Sequence, residues 1–175
     1  KFQVIYTPGH ASDGIVLYNR QEKILISSDT LWETDVAAMT LRIEGSRALF
    51  HMQESLQKIE SLEVKRIYPG HGKPFSDLKK AILKSKEKIK RYLLDRELIG
   101  NDLIKKIIVY TLLMKGTIKE DDLFPYLMDT CWFKETVDLY FNSEYELKYK
   151  EFIVSFTGRG VIKQENGNLY TTVTP

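Results

Sequence analysis

Apolar positions change their period along the chain, and each period predicts an element. Residues 1–6 read Lys-Phe-Gln-Val-Ile-Tyr, an alternation that predicts a strand. A turn-rich run follows, Thr7-Pro8-Gly9-His10-Ala11-Ser12-Asp13-Gly14. Residues 15–18 and 23–27 are β-rich and joined by Asn19-Arg20-Gln21-Glu22, which predicts a hairpin ending at Ser28-Asp29. Over residues 46–63, Leu49, Met52, Leu56, Ile59 and Leu62 recur every three or four positions and predict an amphipathic helix. Residues 66–68 form a short predicted strand. The loop Pro69-Gly70-His71-Gly72-Lys73-Pro74 follows, and Ser76 then caps a helix to about Glu97 with Leu78, Ile82, Ile89, Tyr92 and Leu93 facing inward.

The pattern breaks at Gly100-Asn101, which predicts a domain boundary and two domains, 1–97 and 98–175. In the second, Leu103, Ile104, Ile107, Ile108 and Thr111 stripe a helix over residues 102–115, with Gly116 as its stop. Thr117 with Glu120, and Ser143 with Glu146, have the spacing of capping boxes. Pro125 belongs in a helix's first turn, since it disrupts an interior. An aromatic-rich helical stretch continues to Phe141, and a further helix runs to about Thr157 before Gly158-Arg159-Gly160. Asn166-Gly167 predicts a hairpin between residues 161–164 and 169–173. Helices followed by a hairpin read as a small winged-helix-like module, so the fold class is mixed α/β.

Composition narrows the picture. The 175 residues are 43% hydrophobic and 29% charged, which excludes a disordered or collagen-like chain. Twenty-six Lys and Arg against 24 Asp and Glu leave +2, no warrant for a nucleic-acid or membrane partner. The single cysteine, Cys131, permits no internal disulfide, and a cytoplasmic location is the default expectation. The best apolar run, residues 107–114, falls short of the roughly 20 residues a spanning helix needs. The chain opens on Lys1, already in a strand-like run without a signal peptide, and reads as a piece of a longer protein.

Two of the three histidines share one context, Pro8-Gly9-His10 and Pro69-Gly70-His71, each after an apolar strand. A Gly/Pro loop at a strand end presents a side chain from a rigid base, and Asp29 also falls at a strand end. Imidazole suits zinc or iron, and a carboxylate can bridge two cations. The plainer reading of one isolated copy is a turn with an exposed histidine; two copies bracketing Asp29 weaken it. His51, beside Phe50 and Met52 on a helix, reads as a histidine without chemistry. Cys131, beside Trp132 and Phe133, reads as a buried, inert thiol.

Thr7-Pro8-Gly9-His10, then Ser28-Asp29-Thr30-Leu31-Trp32-Glu33, then Tyr68-Pro69-Gly70-His71-Gly72 resemble the second half of the metallo-β-lactamase superfamily, most nearly its glyoxalase II-like hydrolases. The resemblance covers residues 1 to about 97. It implies half of an αββα sandwich, with His10 on a first metal, Asp29 bridging both as the catalytic carboxylate, and His71 on a second. The cofactors implied are two divalent cations, zinc foremost, with iron or manganese as alternatives. The chemistry implied is cleavage of an ester, thioester, lactone or related bond of a small molecule by a metal-bound hydroxide. Two departures are visible. Ser28 stands where the family has Gly, and the His-x-His-x-Asp-His motif is absent, its place lying upstream of Lys1. The chain alone is therefore expected to bind metal weakly and to be inactive. Half a sandwich leaves a sheet face and an edge uncovered, so the chain is expected to dimerise or to stay with the missing N-terminal half.

Other readings stay open. Tyr126, Trp132, Phe133, Tyr140, Phe141 and Tyr145 make the second domain aromatic-rich, which suits core packing; a dimer surface or pocket wall is the alternative. Lys148, Lys150, Arg159 and Lys163 are offset by Glu144, Glu146 and Glu151, a poor basic face for reading nucleic acid. An endoribonuclease-like member of the superfamily, or a non-enzymatic winged-helix binding module, are the alternative functions. The run Lys79-Lys80, Lys84, Lys86, Lys88, Lys90-Arg91 reads as the solvated face of a helix.

Overall fold

A computed structural model describes residues 1–174. The chain divides into two units, the first ending at Asp95 and the second beginning at Arg96. Among the described residues, no helix is long and apolar enough to cross a membrane.

The first unit is a four-stranded sheet in the order β1 (Gln3–Tyr6), β2 (Ile15–Asn19), β3 (Ile24–Ser28), β4 (Arg66–Pro69). The first two pairings are antiparallel, and β3 pairs with β4 in parallel. A parallel neighbour requires a crossover, which α1 (Leu41–Glu44) and α2 (Ala48–Glu60) provide. After β4, α3 (Leu78–Leu94) packs on α2. Its cap is Asp77, whose carboxylate accepts the Lys80 amide, rather than Ser76. Strand alternation sorts the side chains into two faces. Val16, Tyr18, Leu25 and Ile67 are buried on one face, and the buried stripes of α2 (Leu49, Met52, Leu56, Ile59) and α3 (Ala81, Ile82, Ile89) supply its covering layer.

The other face carries an apolar row set by register: Val4 lies opposite Leu17, Leu17 opposite Ile26, and Ile26 opposite Tyr68. Val4, Ile26 and Tyr68 are 62%, 37% and 42% exposed, and the neighbouring Tyr6–Ile15 pair is exposed as well.

The second unit holds α4 (Glu97–Lys115), α5 (Glu120–Met128), α6 (Cys131–Tyr140) and α7 (Tyr145–Gly158), with an antiparallel sheet in the order β5 (Ile118–Lys119), β7 (Asn168–Thr171), β6 (Ile162–Glu165). Its core gathers Ile104, Ile108, Leu112, Phe133, Val137 and Phe156, among others. The Asn166-Gly167 hairpin is present, with both residues at positive φ as its tight turn demands.

Several local expectations are corrected. Gly100 does not break a helix but lies inside α4, because a Cβ there would come within 2.6 Å of Tyr140 and 2.7 Å of Phe141. Thr117 caps nothing, since residues 118–119 pair with β7. Pro125 is inside α5 rather than in its first turn. Ser143 is no cap either: its backbone is left-handed, φ +62, and its hydroxyl donates to Asp138 at 2.6 Å. Cys131 is exposed, not buried, at the first position of α6.

Candidate metal centre

Each candidate residue leaves the sheet at a strand end. The His10 loop follows β1 and closes on itself, with the Thr7 amide donating to the Gly14 carbonyl at 2.8 Å. Helix α2 backs it. The buried Ser55 hydroxyl donates to the Pro8 carbonyl at 2.7 Å, and a Cβ on Gly9 would lie 2.8 Å from the Met52 Cα. That approach leaves space for glycine alone.

Asp29 is aimed by the end of β3. The β3–β4 register shifts between Ile26 and Ser28, and Ser28 takes a left-handed backbone, φ +49. A bulge at a strand end turns the next side chain out of the ladder. Ser28 thus stands where the backbone favours glycine. The buried hydroxyls of Thr7 and Thr30, 2.9 Å apart, join the His10 loop to the segment after Asp29. His71 follows β4, and the Gly70 amide donates to the Ser28 carbonyl at 2.8 Å. A Cβ on Gly70 would meet Asp29 Oδ1 at 2.5 Å, so the two loops touch only because that side chain is absent.

The structure brings all three predicted residues together. His10 Nε2 lies 3.6 Å from Asp29 Oδ2, and His71 Nε2 lies 3.9 Å from Asp29 Oδ1. Each imidazole faces its own carboxylate oxygen. His10 is turned by its other nitrogen, Nδ1, which is 2.8 Å from the Ala38 carbonyl. Trp32, which spacing alone did not single out, completes the cluster. Its Nε1–H donates to Asp29 Oδ1 at 3.0 Å, and its ring meets His71 edge-on at 5.1 Å. The nearest signal in the sequence is its position three residues after Asp29. His51 lies half-buried on α2.

Two ligands on one tetrahedral zinc stand about 3.3 Å apart, given bonds of roughly 2.05 Å. The His10–Asp29 spacing is close to that value and the His71–Asp29 spacing is wider. The donor set is one imidazole and one carboxylate oxygen per cation, while a catalytic zinc takes three protein ligands. Among the described residues, no group of three or more His, Cys, Asp or Glu could by itself hold a metal ion. These residues fit as part of a divalent-cation site and do not complete one.

A family model described as the metallo-beta-lactamase superfamily matches residues 1–71. The "Beta-lactamase-like protein 2 homolog" of Caenorhabditis elegans is 35% identical over 103 residues, 59% of this chain and 30% of that protein. The "Probable metallo-hydrolase YqjP" of Bacillus subtilis is 27% identical over 92 residues, 50% of this chain and 29% of that protein. The chain thus spans less than a third of these curated relatives. A crystal structure of a beta-lactamase domain protein from Burkholderia ambifaria aligns with a TM-score of 0.50 at 21% identity, over 55% of this chain and 31% of that one, a likeness of fold. The match to the metallo-β-lactamase superfamily model spans residues 1–71, the stretch in which the His10 and His71 loops and the Asp29 turn all fall.

Proposed function

We propose that this chain supplies His10, Asp29 and His71 to the divalent-metal site of a hydrolase, with the remaining donors coming from another segment of the same protein. The observation that carries the reading is the Asp29 carboxylate set between two imidazoles, one oxygen facing each Nε2. Divalent cations at such a site polarise a substrate oxygen and make water acidic enough to ionise near neutral pH. The chain's own residues bind and orient. His10 offers the nitrogen opposite its Ala38 contact, Asp29 offers one oxygen to each side, and Trp32 restrains that carboxylate. Small-molecule esters, thioesters and lactones are the substrate class, and zinc is the first metal to try, ahead of iron and manganese.

The bare apolar row Val4–Leu17–Ile26–Tyr68 supports association with the rest of the protein, or failing that with a second copy. The second unit is read as a winged-helix-like accessory module. From Arg96 onward it holds 10 Lys and Arg against 12 Asp and Glu, a balance that argues against a nucleic-acid substrate. A cytoplasmic setting rests on the single cysteine.

The test is hydrolysis of a thioester and lactone panel by the full-length protein. Activity lost on chelation and in Asp29→Asn supports the reading. Activity indifferent to both overturns it, and nucleic-acid retention that falls steeply with salt favours the endoribonuclease-like alternative.

A further inference from the structure

Helix α3 works against its own electrostatics. A helix N-terminus favours acids, yet the first turn of α3 holds Lys79 and Lys80 and no acid. Like charges four residues apart repel, and α3 carries them at Lys80–Lys84, Lys84–Lys88 and Lys86–Lys90. Two of these lysines are answered within the fold: Lys86 meets Glu60 at 2.6 Å, and Lys88 grips Asp35. Lys79, Lys80, Lys84, Lys90 and Arg91 are exposed and meet no carboxylate at ion-pair distance among the described residues. Other lysines of the chain do find one, as Lys23 does in Glu63, Lys106 in Asp102 and Lys148 in Glu151. A local conflict that the fold leaves unanswered marks a functional surface.

At 3.6 residues per turn, these five cations fall within an arc of about 140° and span about 18 Å of helix. The same arc holds Leu83 and Leu94, 58% and 79% exposed, and one acid, Glu87. Beside it, between α2 and α3, lies a groove of about 480 Å³ lined by Gln53, Gln57, Lys86, Glu87 and Lys90. These features narrow the partner. The cations call for carboxylates or phosphates. The leucines call for apolar side chains, which a phosphodiester backbone lacks. Glu87 opposes phosphates and an anionic lipid surface alike, whereas the glutamine amides donate and accept as a peptide backbone does.

We propose that this face of α3 docks an acidic, leucine-bearing segment of a partner protein. Its carboxylates meet Lys79, Lys80, Lys84, Lys90 and Arg91, its apolar side chains cover Leu83, and its main chain reaches Gln53 and Gln57. The run that the sequence reads as a solvated helix face is thus a recognition surface. It includes none of His10, Asp29 and His71, so the inference can fail while the hydrolase reading stands, and the reverse.

The test is fluorescence anisotropy with the full-length protein and a labelled peptide of repeated Asp-Glu-Leu triplets, at about 50 mM salt, where screening is weak. A peptide of Asp-Glu-Ser triplets, a thymidine oligonucleotide and phosphatidylserine vesicles are the comparisons. The leucine peptide is expected to bind tightest and to lose affinity as salt rises. Lys80→Glu with Lys84→Glu should weaken it about tenfold, as attractions become repulsions. Leu83→Ser should weaken the leucine peptide about fivefold, the scale of a partly buried leucine, and leave the serine peptide unchanged. The charge-reversed variant puts an acid in the first turn and removes like-charge pairs, so it should unfold no earlier than wild type. If it fails to fold, Lys80→Gln with Lys84→Gln is read in the same way. No binding of the leucine peptide, or binding that ignores Lys80 and Lys84, overturns the proposal. So does tighter binding of the oligonucleotide or the vesicles through those lysines, or salt-sensitive self-association through them without peptide.

Discussion

The Trp32 indole N–H and the His71 imidazole meet on one atom, Asp29 Oδ1: the indole donates to it at 3.0 Å and His71 Nε2 faces it at 3.9 Å. The other oxygen, Oδ2, faces His10 with no such donor at its side among the recorded contacts. The two sides of the carboxylate are therefore unequal. Trp32→Phe keeps an aromatic ring beside His71 and deletes the donor. If the proposed site is complete in the full-length protein, the substitution should weaken its zinc retention about tenfold, the usual cost of losing a hydrogen bond to a ligand. A competition titration against a chromophoric chelator reads the change, and unaltered affinity would show that the indole leaves the carboxylate's position unaffected.

Gly70 is where two loops approach too closely for a side chain. A Cβ would lie 2.5 Å from Asp29 Oδ1 and 3.1 Å from the Ser28 carbonyl carbon. Backbone cannot yield as a flexible side chain can. Gly70→Ala should cost about 2 kcal/mol, an overpacking penalty, and should displace Asp29. Denaturant unfolding measures the first effect. A stability within experimental error of wild type would mean that the β3 and β4 loops are farther apart than described.

In the second unit the Tyr140 hydroxyl is buried without a hydrogen-bond partner among the described residues, and burial pushes its pKa above the ordinary tyrosine value. A buried, unsatisfied hydroxyl is costly, so Tyr140→Phe should stabilise the chain by about 1 kcal/mol. A clear loss of stability by the same unfolding experiment would reveal a partner for that hydroxyl.

Asp138 has the opposite character. Hydrogen bonds from Ser143 and then Tyr145, with Lys134 nearby, hold its pKa below the ordinary 3.8. A carboxylate depressed on folding contributes stability above its unfolded pKa and loses it as the pH falls through the folded value. Ser143→Ala combined with Tyr145→Phe should return the Asp138 titration toward 3.8 and shrink that acid-side dependence. Carboxyl carbon NMR follows it directly, and a titration still depressed in the double variant would contradict the cause assigned.

What the sequence revealed and what it hid follow from one distinction. His10, Asp29 and His71 stood out because strand periodicity ends at each of them, in Pro-Gly before the two histidines and in Ser28 before Asp29, a local signal. The partners that orient them were not. The Ala38 carbonyl beside His10 lies on an irregular segment, 28 residues further along the chain. Gly100 misled because a glycine that admits Tyr140 and Phe141 looks, locally, like a helix break. Thr117 misled because a strand pairing about fifty residues away outcompeted a weak capping signal. Trp32 is a single residue without periodicity, and only folding places it on Asp29.

The central claim is that His10, Asp29 and His71 are ligands of a divalent-metal site completed by donors outside these 175 residues. Elemental analysis of the full-length protein beside this chain tests it most directly, with His10→Ala and His71→Ala in the full-length background. The account predicts close to two divalent metals per full-length chain, little on the 175 residues alone, and a loss of metal in each variant. A full-length protein that stays metal-free after reconstitution, or one whose content ignores both histidines, would contradict it.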